Sequence, residues 1–119
     1  MILTKKHRHI LAVALGVNIA DMQNVNELLK GIAAFVGVEQ YALADPYVEK
    51  VINGFNGNVF VMRCVRGYEG SMLTALSFIK QLNSTSTGIC TIRISGTIKK
   101  LMEFALANSG AISELIHSK

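Results

Sequence analysis

The sequence is poor in the residue patterns that carry chemistry. Its three histidines, His7, His9 and His117, lie at the two ends of the chain and show no metal-ligand spacing. The eight acids are scattered, most of them in the first half, so no carboxylate pair suited to acid–base work is visible. No serine sits in a nucleophile-elbow pattern, and no glycine cluster forms a phosphate loop. These absences leave no readable active site. The two cysteines, Cys64 and Cys90, lie inside apolar strand-like runs, which points to free thiols in a reducing compartment and not to a disulfide or a metal. No apolar run is long enough to span a bilayer. The longest N-terminal one, 10–17, is interrupted by Gly16, followed by Asn18 and Asp21, and lacks a cleavage site. It reads as a strand and not as a signal peptide, and a cytoplasmic location is expected.

What the chain does have is apolar content and segregated charge. Half of its 119 residues are hydrophobic and 17% are charged, which excludes a disordered chain and fits one domain over residues 1–119 with a real core. The net charge of +4 is unevenly spread. Residues 1–20 carry +3, residues 21–57 carry −3, residues 58–100 carry +5 and the remainder −1. Such asymmetry points to an anionic partner for one face, most often nucleic acid.

The hydrophobic pattern predicts the elements in order. Arg8–Gly16 is apolar on both parities, as expected of a central strand covered on both faces. Asp21 to Asn26 reads as a polar turn in which Asn24 or Asn26 caps a helix with the stripe Val25, Leu28, Leu29, Ile32, Ala33 and Val36. That helix fades near Gly37, and residues 38–43 add a further turn. Pro46 then opens an extended run over 47–52, and Asn53-Gly54-Phe55-Asn56-Gly57 turns it into a second strand over 58–66. In that strand Val59, Val61, Arg63 and Val65 share one face, and Phe60, Met62, Cys64 and Arg66 share the other. A second helix is expected over 71–82, with Leu73, Leu76, Ile79 and Leu82 on its stripe. A polar loop over 83–88 leads to a last strand over 89–94, in which Thr91 and Arg93 alternate against Cys90, Ile92 and Ile94. A third helix runs to about Asn108, and residues 110–117 form a short C-terminal helix. The order βαββαβ followed by α predicts an α+β fold, a four-stranded antiparallel sheet with helices on one face and an additional C-terminal helix.

The stretch RISGTIKK, Arg93 to Lys100, joins the last strand to the third helix. Ser95-Gly96 breaks the strand, Thr97 supplies a capping hydroxyl, and the glycine lets the backbone approach another group. Lys99 and Lys100 then stand where the helix dipole opposes cations by roughly 0.3–1 kcal/mol each. Cations held against that field imply an anion nearby, and a helix N-terminus already favours phosphate. Around this junction the basic residues Lys5, Lys6, Arg8, Arg63, Arg66 and Arg93 complete the candidate RNA-binding set with Ser95, Gly96, Thr97, Lys99 and Lys100. If the first strand neighbours both the third and the last, Arg63 and Arg93 share one sheet face beside the start of the third helix. Their planar forks suit phosphate oxygens or stacked bases. The central strands offer little for base stacking, with Phe60 as the single aromatic on the third strand and none on the first. Contacts to phosphate backbone or to the shape of a folded RNA are therefore expected. A different class, a ferredoxin-like domain that senses a small molecule or self-assembles through the same sheet, is the alternative.

The strand MRCVRG, the helix TALSFIKQLN, the junction ISGTIKKL, the basic N-terminus running into RHILAVAL, and AAFVG…ADPYV together resemble the Pop-five family of ribonuclease P in its archaeal form, over about residues 4–106. The resemblance implies a ferredoxin-like, RRM-like fold. It also implies a noncatalytic subunit of the ribonucleoprotein that removes the 5′ leader from precursor tRNA. In that enzyme the RNA, with bound magnesium, carries the chemistry, and the protein itself binds no cofactor. The implied partners are the ribonuclease P RNA and a barrel-fold protein subunit, in a heterodimer or heterotetramer, with precursor tRNA contacted indirectly. The family motif maps onto Arg63, Cys64 and Arg66, and onto Ser95, Gly96, Thr97, Ile98 and Lys99.

Overall fold

The structure is a computed structural model that describes residues 6–117. Strand β1 (His7–Ala14) is followed by helices α1 (Met22–Val36) and α2 (Val38–Ala44), then by the hairpin of β2 (Tyr47–Val51) and β3 (Val59–Val65). Helix α3 (Glu69–Ser77), a small hairpin of β4 (Gln81–Leu82) and β5 (Thr85–Ser86), strand β6 (Ile89–Ser95) and helices α4 (Ile98–Ala107) and α5 (Ser109–His117) complete the chain. The main sheet has the order β2-β3-β1-β6 and every neighbouring pair is antiparallel. With the crossovers through α1 and α3, this is the ferredoxin-like arrangement predicted from the pattern.

The double-sided apolar character of β1 has a direct cause. Ile10, Ala12 and Ala14 face one way, with Phe60, Met62 and Cys64 of β3, and pack under Leu28 and Ile32 of α1 and Met72, Ala75 and Leu76 of α3. Leu11 and Val13 face the other way with Val59 and Val61, and are covered by Leu101 and Ala105 of α4 and Ile112 of α5. Burial of each valine, leucine, isoleucine, phenylalanine or methionine among them contributes about 1.5–3 kcal/mol, so both layers are substantial. The expectation of helices on one face alone is therefore wrong. Helices α4 and α5 fold back over the opposite face because half of that face is apolar and has to be buried.

Three further details depart from the sequence pattern. Helix α1 begins before Asn24: Asp21 is extended and its carboxylate accepts a 2.9 Å hydrogen bond from Gln23 N, so it is the N-cap. The second long helix stops at Ser77, five residues early. Asn83 and Ser84 both adopt positive φ (50° and 68°), the two-residue turn that pairs Leu82 with Thr85, and a helix cannot continue into a strand pair. Ile79 and Leu82 are still buried, Ile79 from the connection after α3 and Leu82 from the hairpin. Strand β6 does not alternate throughout: Arg93 pairs with Leu11 while Thr91 pairs with Ala12, so Ile92 is extra in a bulge and lies on the same face as Arg93. In the loop after β2, Gly57 (φ 78°) lies against Asn18, where any Cβ would fall 1.9 Å from Oδ1.

Candidate nucleic-acid interface

Antiparallel pairing gathers one end of every main strand. The starts of β1 and β2 meet the ends of β3 and β6, so Lys6, Arg8, Arg63, Arg66, Arg93 and the first turn of α4 share one end of the sheet. Lys5 lies outside the described residues. The register then sorts these side chains by face. His9 stands opposite both Arg63 and Ser95, and Leu11 stands opposite Arg93. Arg63 and Arg93 thus share the α4 side, flanking β1, as the expected strand neighbours imply, although the bulge sets Arg93 with Cys90 and Ile92 and not with Thr91. Arg8 pairs with Cys64 on the other side, and Arg66 lies one step beyond, its N–H donating to Lys6 O at 2.8 Å. The basic set is one end of the sheet, divided between two faces.

The two faces differ in how their cations are balanced. On the α1–α3 side, Arg8 Nε lies 3.5 Å from Glu69 Oε2, an ion pair whose geometry makes no hydrogen bond. The Glu69 carboxyl is held below the usual range by backbone N–H donors, its own first and then that of Gly67 at 2.5 Å, with Arg8 and Arg66 adding their charge. Burial pushes the Cys64 thiol up to about 11, with the Glu69 charge acting the same way and Arg8 against it. On the α4 side, Glu49 takes a 2.7 Å hydrogen bond with His9 Nδ1 and a 3.7 Å ion pair with Arg63 Nη1. The Arg63 guanidinium lies 4.4 Å over the ring of Tyr47, its partner across β2–β3. The Arg93 guanidinium lies 4.6 Å over the ring of Phe104 on α4, marking where the covered half of the sheet ends.

At the junction itself, Thr97 is extended, its Oγ1 accepts from Lys100 N at 3.4 Å, and its own N–H donates to Ser95 Oγ at 3.3 Å. It is the N-cap predicted. No acid stands in the first turn of α4, and Lys99 and Lys100 are exposed and make no ion pair among the described residues. Gly96 makes no close approach among the described residues: none of their atoms lies within 4 Å of where its Cβ would be, apart from its own chain neighbours. An open cleft of about 570 Å³ at this corner is lined by Arg8, Arg93, Ser95, Gly96, Lys100, Glu103 and Phe104. The described residues include no group of three or more His, Cys, Asp or Glu side chains placed to hold a metal ion. Among them no helix is long and apolar enough to cross a membrane.

A sequence model of the Rpp14/Pop5 family matches residues 8–106. The chain belongs to the Rpp14/Pop5 family. The matched span runs from Arg8 through β6 and almost all of α4, and so includes the basic end apart from Lys6. The fold is similar to that of a chain in the cryo-EM structure of yeast Ribonuclease MRP, with a TM-score of 0.59 at 7% identity over 93% of this chain and 99% of that one. At that identity the likeness is one of fold. No curated protein matches the chain in sequence.

Two participants escaped the sequence pattern. Tyr47 sits on an edge strand, and only the β2–β3 register, set by the turn at 53–57, shows that it shares a row with Arg63. Glu49 lies where the β2–β3 register shifts between Val48 and Lys50, so simple alternation misplaces it.

Proposed function

We propose that this protein is a noncatalytic subunit of a ribonuclease P-type ribonucleoprotein, docking through its basic sheet end on the RNA that removes the 5′ leader from precursor tRNA. Membership of the Rpp14/Pop5 family and the fold shared with a chain of yeast Ribonuclease MRP support the assembly class. The observation that carries the RNA-facing surface is the start of α4, where Lys99 and Lys100 make no ion pair among the described residues and stand at a helix start with no acid in its first turn, beside Ser95 and Gly96. Exposed N–H groups, the helix dipole and two lysines all favour a phosphate there. Lys6, Arg8, Arg66 and Arg93 extend the positive field around it, and the acidic segment 21–57 lies in α1, α2 and β2. In this reading magnesium belongs to the RNA, and precursor tRNA meets the protein indirectly.

The opposite, helical side supports a protein-facing surface. Phe35 of α1 and Phe78 after α3 stack with ring centroids 5.0 Å apart, yet are 46% and 62% exposed, in a groove of about 680 Å³. With Val38 and Leu43 also exposed, this side offers apolar area for the barrel-fold subunit. Phe35→Ser with Phe78→Ser is expected to abolish co-purification with that subunit while leaving RNA association intact. The function itself is tested by reconstituting precursor-tRNA cleavage with and without this chain at limiting magnesium. Cleavage should rise when the chain is added, and unchanged cleavage at every magnesium concentration overturns the reading. The alternative, a sensing or self-assembling domain, is favoured by an apolar groove between protomers, and on the α4 side the apolar part of the sheet is already covered by α4 and α5.

A further inference from the structure

The half of the sheet left open by α4 and α5 carries a continuous row in register: Tyr47 on β2, Arg63 on β3, His9 on β1 and Ser95 on β6. At the usual interstrand spacing the row is about 14 Å long. It consists of a phenol ring, a guanidinium, an imidazole and a hydroxyl. We infer that this row is a seat for an unpaired nucleobase, so that the RNA contact consists of a base on the sheet beside a phosphate at the start of α4.

The charge balance separates the two subsites. Glu49 touches both His9 and Arg63, so the centre of the row is close to neutral, and a phosphate placed there meets a carboxylate. A neutral planar base with hydrogen-bonding edges meets no such penalty. Tyr47 and Arg63 supply flat surfaces for it: Tyr47 is 39% exposed, and one guanidinium face lies over its ring. The His9 ring is only 12% exposed and is held by Glu49. A part-exposed phenol ring and guanidinium beside an imidazole fixed in place form a preset flat surface on which a base stacks. Lys99 and Lys100, at a helix start with no acid in its first turn and in no ion pair among the described residues, keep the phosphate role.

This inference rests on the RNA reading above, and the test separates the two. The full chain is titrated at low salt with a fluorescent single-stranded uridine hexamer and with an abasic hexamer of the same phosphate count, and binding is read by anisotropy. The base-containing hexamer should bind about tenfold more tightly. Tyr47→Ala should erase that preference and Tyr47→Phe keep it. Lys99→Ala with Lys100→Ala should weaken both hexamers alike. Equal binding of the two hexamers, unmoved by Tyr47→Ala, overturns the base seat and leaves phosphate docking standing. Binding of neither hexamer overturns both. Because Tyr47 lies on an edge strand and is part-exposed, thermal unfolding of the alanine variant confirms that the fold is retained.

Discussion

Strands β1 and β3 carry two unlike surfaces on a single face. Toward one end, Leu11 and Val13 meet Val61 and Val59 and disappear under α4 and α5. Toward the other, His9 meets Arg63, and among the described residues the side chains recorded against them are Glu49 and Tyr47. The switch takes two residues, from His9 to Leu11, and Arg93 stands at the border with its guanidinium on a ring of the covering helix. One half holds the molecule together and the other half is available for a partner. Helix α4 serves both, because its buried face seals the apolar half while its N-terminus opens onto the charged one.

That division is broken most severely from the covered side. Leu101 is fully buried against the sheet, and Leu101→Ala should lower unfolding free energy by about 2–5 kcal/mol. Urea denaturation measures it, and a loss under 1 kcal/mol would mean that α4 is not seated as described. The next largest effect belongs to the open side. Lys99→Ala with Lys100→Ala should leave the urea midpoint nearly unchanged. It should reduce the salt dependence of RNA binding by a slope of about two, one for each phosphate contact removed. A large stability change in that double variant would show that the open half is structural too.

The faces of β3 were legible in the sequence because they depend only on a period of two, which the bulge in β6 breaks. Val61 and Arg63, or Phe60 and Cys64, could be assigned to faces without any partner in view, and the capping of α4 by Thr97 follows from local spacing. The segment after α3 was not legible, because the run Leu73, Leu76, Ile79, Leu82 fits a helix and a helix followed by a hairpin equally well. What decides it is the positive φ at Asn83 and Ser84, stabilised by pairing that only the folded chain supplies. The second helical layer was hidden for a similar reason: β1 announced burial on both faces, but nothing local says which helix returns to cover the second. Within the site, the shared face of Arg63 and Arg93 followed from the expected strand neighbours, although the bulge in β6 sets Arg93 with Ile92 and not with Thr91; Tyr47 and Glu49 were not found, since both depend on the register of an edge strand with a bulge.

The covered side also makes a smaller prediction through Cys64, directly across from Arg8. Its buried thiol is raised from 9.0 to about 11, so the folded state holds a proton that the unfolded chain releases earlier. The stability this contributes is fully present below pH 9 and is lost as pH rises from 9 toward 11. At pH 8 a thiol reagent should titrate the partly exposed Cys90 first and reach Cys64 only on unfolding. Equal labelling of both thiols in the native protein would place Cys64 outside the core.

The smallest expected effect on stability is the most informative about the open half. Arg63→Ala removes a 3.7 Å ion pair between part-exposed groups and a guanidinium–ring contact, each contributing about 0.5–1 kcal/mol or less. It also removes a buried Nε that has no hydrogen-bond partner among the described residues, which offsets part of that loss. The His9–Glu49 hydrogen bond survives the substitution. Unfolding should therefore shift by less than about 1 kcal/mol. RNA association should fall, and Arg63→Lys should restore it only in part, because an ammonium has no planar face to stack. If Arg63→Ala unfolds the protein instead, the guanidinium is a structural staple across β2 and β3, and the contrast between the two halves of the face disappears.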